Sequence, residues 1–178
     1  MAKSVMVHNF SQVPRANIPR ASFDRSHGLK TTLYKGGLLF PIYVDEALPG
    51  DTFNLRMNAF CRMATPIHPI FDNLFIETFF FAVPNRLIWD NWQRFNGEQP
   101  NPGDSTDFTV PQIQLGSNSD QSFFDYFGVP VYQSGGGNLF INSLHFRGYN
   151  LIWNEWFRDQ NLQQAVTEIG RASCRERV

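Results

Sequence analysis

The sequence predicts a mainly β chain with short helices set into its connections, and three observations carry this. Apolar and polar residues alternate with period two over 52–63, the pattern of a strand with one buried face. The run "LFIETFFFAV" at 74–83 is apolar almost throughout and rich in β-formers, which suits a strand covered on both sides. Proline and glycine punctuate the chain between such segments, as in "LPGD" at 48–51, where proline presets φ and glycine permits a positive φ.

The elements follow in order. Residues 1–28 are polar, with Pro14, Pro19 and Gly28 and no sustained period; they read as an extended arm that cannot fold alone. A short strand is expected at 29–35, then a turn or bulge at Gly36-Gly37. A second strand at 38–44 contains Pro41, which assigns it to an edge or a bulge. In the 52–63 strand, Phe53, Leu55, Met57, Ala59, Cys61 and Met63 face one way. Asn54, Arg56, Asn58 and Arg62 face the other, and Cys61 reads as a buried thiol. "TPIHPIFDN" at 65–73 is an irregular connection to the 74–83 strand. Asn85 is positioned to cap an amphipathic helix reaching Gly97, with Leu87, Ile88, Asn91, Trp92 and Phe95 at helical spacing. The Pro-, Gly- and Ser-containing stretch 96–120 reads as a long loop, of the kind that forms interaction surfaces. "DQSFFDYFG" is a short helix capped by Ser119 and ended by Gly128; "QSGGGN" at 133–138 is a flexible turn. The last helix spans 142–162, with Leu144, Tyr149, Ile152, Trp153, Trp156 and Phe157 mostly on one face. Gly148 weakens it by about 1 kcal/mol relative to alanine.

At 178 residues the chain can hold one domain with a real core. It is 15% aromatic, with 18 Phe, and its only lysines are Lys3, Lys30 and Lys35. Abundant aromatics with little lysine is the composition of a protein–protein interface, or of an aromatic-rich core. Trp89, Trp92, Phe95, Tyr149, Trp153, Trp156 and Phe157 are therefore the candidates for intersubunit contact or packing. Charge is uneven: Lys3, Arg15, Arg20, Arg25, Lys30 and Lys35 face only Asp24 in the first 35 positions. These six are candidate nucleic-acid contacts; the rival reading is a solvated, flexible N-terminus. Chemistry is not indicated. There is no nucleophile elbow, P-loop, dinucleotide fingerprint or H-E-x-x-H motif, and the four histidines lie far apart. Two cysteines without a Cys/His cluster indicate no zinc. Asp45-Glu46 and the acids of 104–107 match no calcium-loop spacing. No catalytic, cofactor or metal residue is expected. No signal-peptide core and no stretch of membrane-spanning length occurs, so the chain reads as a soluble protein made in a reducing cytoplasm.

Taken in order, "RSHGLKTTLYKGGLLFPIYVDEALPGDTFNL", "RMATPIHPIFDN", "FFFAVPNRLIWDNWQRFNGE" and "FRGYNLIWNEWFRDQNL" closely resemble the N-terminal part of the major capsid proteins of small single-stranded DNA phages, the Microviridae, and most of all the gokushovirus branch. The resemblance covers residues 1–167. It implies an eight-stranded antiparallel jelly roll of viral capsid type, with helical and loop insertions. It also implies an icosahedral, non-enveloped shell of many copies around a circular single-stranded genome, assembled in the cytoplasm of a bacterial host, with other virion proteins as further partners. Family members run to several hundred residues, so the jelly roll here is expected to be partial and incomplete at its C-terminal side. The basic arm would neutralise phosphates without reading bases. The first alternative is a cellular β-sandwich that binds glycans through its aromatic side chains; the second, an enzyme on a β-scaffold, has no acid/base pair or metal cluster to support it.

The end of the chain, "EIGRASCRERV" at 168–178, resembles nothing before it. Taken at face value it is an arginine-rich tail. A widely used short-read sequencing adapter preceded by one G, however, would encode all eleven of these residues in a single frame. On that reading Arg171, Arg175 and Arg177 do not count towards DNA binding, nor Cys174 towards a disulfide. Removing three arginines and two glutamates from a chain of formal charge −1 leaves −2. The organisation expected is thus an arm at 1–28, part of a jelly roll at 29–167, and a non-native tail.

Overall fold

The structure is a computed structural model that describes residues 17–33, 38–131 and 139–167. The chain divides into two units, Met1–Lys30 and Thr31–Val178. In the first, the described residues 17–30 carry no helix or strand and are all exposed. Its local order is a turn in which the Ser26 hydroxyl and N–H both donate to Asp24 Oδ1. Those bonds, the hydroxyl's first, hold the Asp24 carboxyl below its ordinary range.

In the second unit the regular elements gather late in the chain. Strand β1, Gln112–Leu115, pairs antiparallel with β2, Leu139–Asn142, placing Ile113 opposite Ile141. The pairing is extended by Ser143, whose N–H and hydroxyl both donate to the Pro111 carbonyl at 2.9 Å. Helix α1 is Trp92–Phe95, α2 is Phe123–Tyr126 and α3 is Leu144–Ile152. A π-helical turn, Trp153–Phe157, prolongs α3, and its last bond runs from Arg158 N–H to the Trp153 carbonyl at 2.9 Å.

The core lies where α2, α3 and the two-stranded sheet meet. Phe123, Phe146 and Tyr149 are buried there, with Ile113, Ile141, Phe124 and Phe127 packed around them. Phe146 sits 4.7 Å from Phe127 and 5.2 Å from Phe124, centroid to centroid; tilted and edge-on pairs of this kind add about 0.5–1.5 kcal/mol each beyond the area they bury. Helix α3 is the hub. Its Tyr149 hydroxyl donates to the Leu39 carbonyl at 2.9 Å and its Arg147 Nη1 to the Ile88 carbonyl at 3.2 Å. Gly148 is buried beside Val83, and a Cβ there would lie 3.8 Å from Val83 Cγ1, ordinary packing distance, so closeness to Val83 does not demand glycine.

Several sequence expectations need correction. The stretch 96–120 is not all loop, because β1 lies inside it. The helix expected from 85 to 97 is two pieces, a 3-10 turn at Asn85–Leu87 and α1. Pro84 rather than Asn85 stands at the first N-cap, with no side-chain bond, and Arg147 takes the Ile88 carbonyl that a continuous helix would use. The α2 cap is Ser122, not Ser119: its hydroxyl accepts from Asp125 N–H at 3.2 Å while Asp125 Oδ2 accepts from Gln121 N–H at 2.9 Å. This is close to a capping box. The helix at 142–162 is shorter, Leu144–Ile152 plus the π turn.

The expected strands within 29–33, 38–44, 52–63 and 74–83 form no ladder among the described residues. Cys61 is exposed rather than buried, and the 74–83 run is largely exposed instead of covered on both sides. The physical reason is common to all: these segments have a strand's pattern but no partner strand to satisfy their backbone groups or cover their apolar faces. The expected turns at Gly36-Gly37 and 133–138 lie outside the described residues. Two local signals hold as expected. "LPGD" turns with Gly50 at φ +85° and Asp51 N–H donating to the Leu48 carbonyl at 3.1 Å; Gly128 ends α2 at φ +82°.

Candidate interaction surface

The aromatic candidates separate into three groups. Tyr149 and Trp153 point inward from α3 and its continuation and are buried. They serve the core, and Tyr149 packs edge-on against Phe123 at 5.0 Å.

Trp89, Trp92 and Phe95 form a compact group on the turn that replaces the expected helix. Trp89 is buried, with Phe95 at 5.2 Å and Trp92 at 6.1 Å, while Phe95 remains exposed at the rim. The turn closes through Asn96 Nδ2, which donates to the Trp92 carbonyl at 2.7 Å, and through Gly97 at φ +99°.

The third group is the one that faces outward. The widened π turn carries Trp156 and Phe157 away from the buried face of α3 and against the 74–83 run. Phe81 lies 5.4 Å from Trp156 and 6.1 Å from Phe157; Phe79 lies 5.5 Å from Phe157. Trp156 is nevertheless 72% exposed. A tryptophan held by neighbours on one side and open on the other is the form of an interface anchor. Phe79 and Phe81 were not among the sequence candidates, although their period-two spacing in "FFFAV" puts them on one strand face.

Beside the core an open, mainly apolar groove of about 200 Å³ is lined by Val44, Val129, Ile141 and His145 over Phe127 and Phe146. His145 Nε2 approaches Glu46 Oε1 at 3.2 Å, a contact that becomes a charge pair when the imidazole is protonated. Beyond the helix, Asn154 grips a later piece of backbone at both ends: Nδ2 donates to the Val166 carbonyl and Oδ1 accepts from Val166 N–H, each at 2.9 Å. Val166 thereby packs against the core cluster.

Of the candidate DNA contacts, Arg20, Arg25 and Lys30 are exposed within the first unit; Lys3, Arg15 and Lys35 lie outside the described residues, as does the tail at 168–178. Among the described residues no group of three or more His, Cys, Asp or Glu could hold a metal ion, and no helix is long and apolar enough to cross a membrane.

Comparison with known proteins bears on what covers these surfaces. The family model described as capsid protein (F protein) matches residues 11–174. The chain is 48% identical over 157 residues to capsid protein VP1 of Bdellovibrio phage phiMH2K, covering 87% of this chain and 29% of that protein. It is 47% identical over 171 residues to capsid protein VP1 of Chlamydia phage 1, covering 92% of this chain and 28% of that protein. It is 34% identical over 160 residues to capsid protein VP1 of Spiroplasma virus 4, covering 88% and 28%. The chain therefore spans less than a third of the length of the curated relatives it matches.

Proposed function

The chain belongs to the capsid protein (F protein) family of the Microviridae, and from that premise we propose that it is part of a major capsid subunit, a structural protein rather than an enzyme. Many copies would associate into an icosahedral shell around a single-stranded DNA genome, located in the virion and assembled in the cytoplasm of a bacterial host. The observation that carries this reading is the outward aromatic group of Phe79, Phe81, Trp156 and Phe157. A shell subunit needs such desolvating anchors on its surface. A glycan-binding module of cellular origin is not favoured, since the relatives named are all phage capsid proteins.

The fold proposed for the complete subunit is an eight-stranded jelly roll. What supports it is the mismatch between pattern and pairing: 52–63 has strand periodicity and 74–83 a buried strand's composition, yet neither has a ladder partner among the described residues, and this chain covers less than a third of the relatives' length. In such a subunit the apolar side of 52–63 would be covered.

The arm is the proposed site of sequence-nonspecific DNA contact, through Lys3, Arg15, Arg20 and Arg25, with Lys30 and Lys35 just beyond it. The density of basic residues over the first 35 positions and the exposure of Arg20, Arg25 and Lys30 support this. Deleting residues 1–28 from a capsid-length subunit should leave its melting transition in place and lower the DNA content of purified particles. Unchanged DNA content together with unchanged particle yield would overturn the assignment.

We also propose that 168–178 is not native. The family match reaches position 174, yet agreement of every residue from Glu168 onward with one reading frame of the adapter supports an origin outside the gene. Resequencing the template past the codon for Thr167 should return different codons; recovery of the same ones from an adapter-free library refutes this.

A further inference from the structure

The 52–63 run has two unlike faces. It contains no helix or turn, and all of its residues are exposed. Phe53, Leu55, Met57 and Met63 are 45–52% exposed, whereas Phe60, on the other face, is 91% exposed. That other face reads Asn54, Arg56, Asn58, Phe60, Arg62. Both arginines are exposed, and neither is hydrogen-bonded or ion-paired among the described residues. No acidic residue occurs from 52 to 71. This charge is separate from the arm, on the other unit of the chain.

The spacing restricts the ligand. Six strand-like residues span about 20 Å, too far for Arg56 and Arg62 to clasp one small anion but suited to separate charges on a polyanion. Phe60 stands about 7 Å from Arg62 on the same face, an aromatic platform beside a guanidinium. Two cations with one aromatic between them along a strip match single-stranded nucleic acid, whose phosphates take the cations and whose bases stack on the ring. An acidic protein segment would use the arginines but leave the exposed ring without a role.

We propose that the face formed by Asn54, Arg56, Asn58, Phe60 and Arg62 is a second, sequence-nonspecific contact for single-stranded nucleic acid, distinct from the arm. It rests on the capsid reading for the presence of a genome. The strip is to be tested in a capsid-length subunit carrying this sequence, with a fluorescent thymidine oligonucleotide titrated at several salt concentrations and assembly scored separately. Each phosphate contact on a single strand contributes about 0.7 to the slope of log affinity against log salt, so Arg56→Gln with Arg62→Gln should flatten it by about 1.4. Phe60→Leu should weaken binding about tenfold and leave the slope unchanged. In the unsubstituted subunit, an iododeoxyuridine oligonucleotide should crosslink to Phe60 on irradiation, which needs no variant to fold. An unaltered slope with no crosslink inside 54–62 overturns the proposal. So does normal oligonucleotide binding by the arginine variant when its assembly fails, since the strip would then be a protein contact. If the unsubstituted subunit does not assemble but the arginine variant still loses salt dependence, the capsid reading falls and the strip stands.

Discussion

Trp156→Ala should abolish or severely impair particle formation while costing the unassembled subunit no more than about 1 kcal/mol. The ring is 72% exposed and its ring contact is with Phe81, so truncation removes one aromatic pair and opens no internal cavity. At an interface the balance reverses. A central tryptophan that fills a desolvated pocket on a neighbour is worth about 2 kcal/mol or more per contact, and a closed shell repeats the loss at every equivalent contact. The two effects separate experimentally: urea melts of the unassembled subunit report the first, sedimentation and electron microscopy of particles the second. A melt lowered by several kcal/mol with particles still forming would place Trp156 inside the complete subunit and remove it from the interface.

Phe146→Ala should have the opposite profile, destabilising the subunit itself by about 3–5 kcal/mol. Phe146 is 3% exposed and stands among Phe123, Phe124 and Phe127. Losing it removes apolar burial, several ring contacts and the volume that holds α2 against α3. The surroundings are rings fixed by short helices, so they collapse poorly into the space. Phe146→Leu, which keeps most of the volume, should cost much less. The measurement is the shift of the denaturation midpoint at constant slope; a loss below about 1 kcal/mol for the alanine variant would show that this cluster is not the core.

The contrast between these two residues marks where sequence reading stops. Both are aromatic and both lie in the 142–162 segment, but the helical spacing put only Trp156 in the apolar stripe. What separates them is the π turn after Ile152, which keeps Trp153 inward and swings Trp156 out towards Phe79 and Phe81. A single widened turn has no signature in the order of residues. The same holds for β1: "QIQL" is too short for its alternation to stand out, and its strand character depends on pairing with Leu139–Asn142, well along the chain.

Sequence alone determined the features whose causes lie within a few neighbouring residues. These are the "LPGD" turn, the stop at Gly128, the existence of a short helix over Phe123–Tyr126 and an aromatic one near 144–157, the excess of basic residues over the first 35 positions, and the motifs that carry the family resemblance. Each follows from backbone sterics, local hydrogen bonds or charge counted along the chain. Tertiary structure alone decided which aromatics are core and which are surface, where the helix after Pro84 breaks, and which strand-patterned segments pair. Those outcomes depend on contacts such as Tyr149 with Leu39 and Arg147 with Ile88, between residues remote in sequence. A period-two pattern fixes which side chains share a face, but burial of that face and pairing of its backbone require a partner strand.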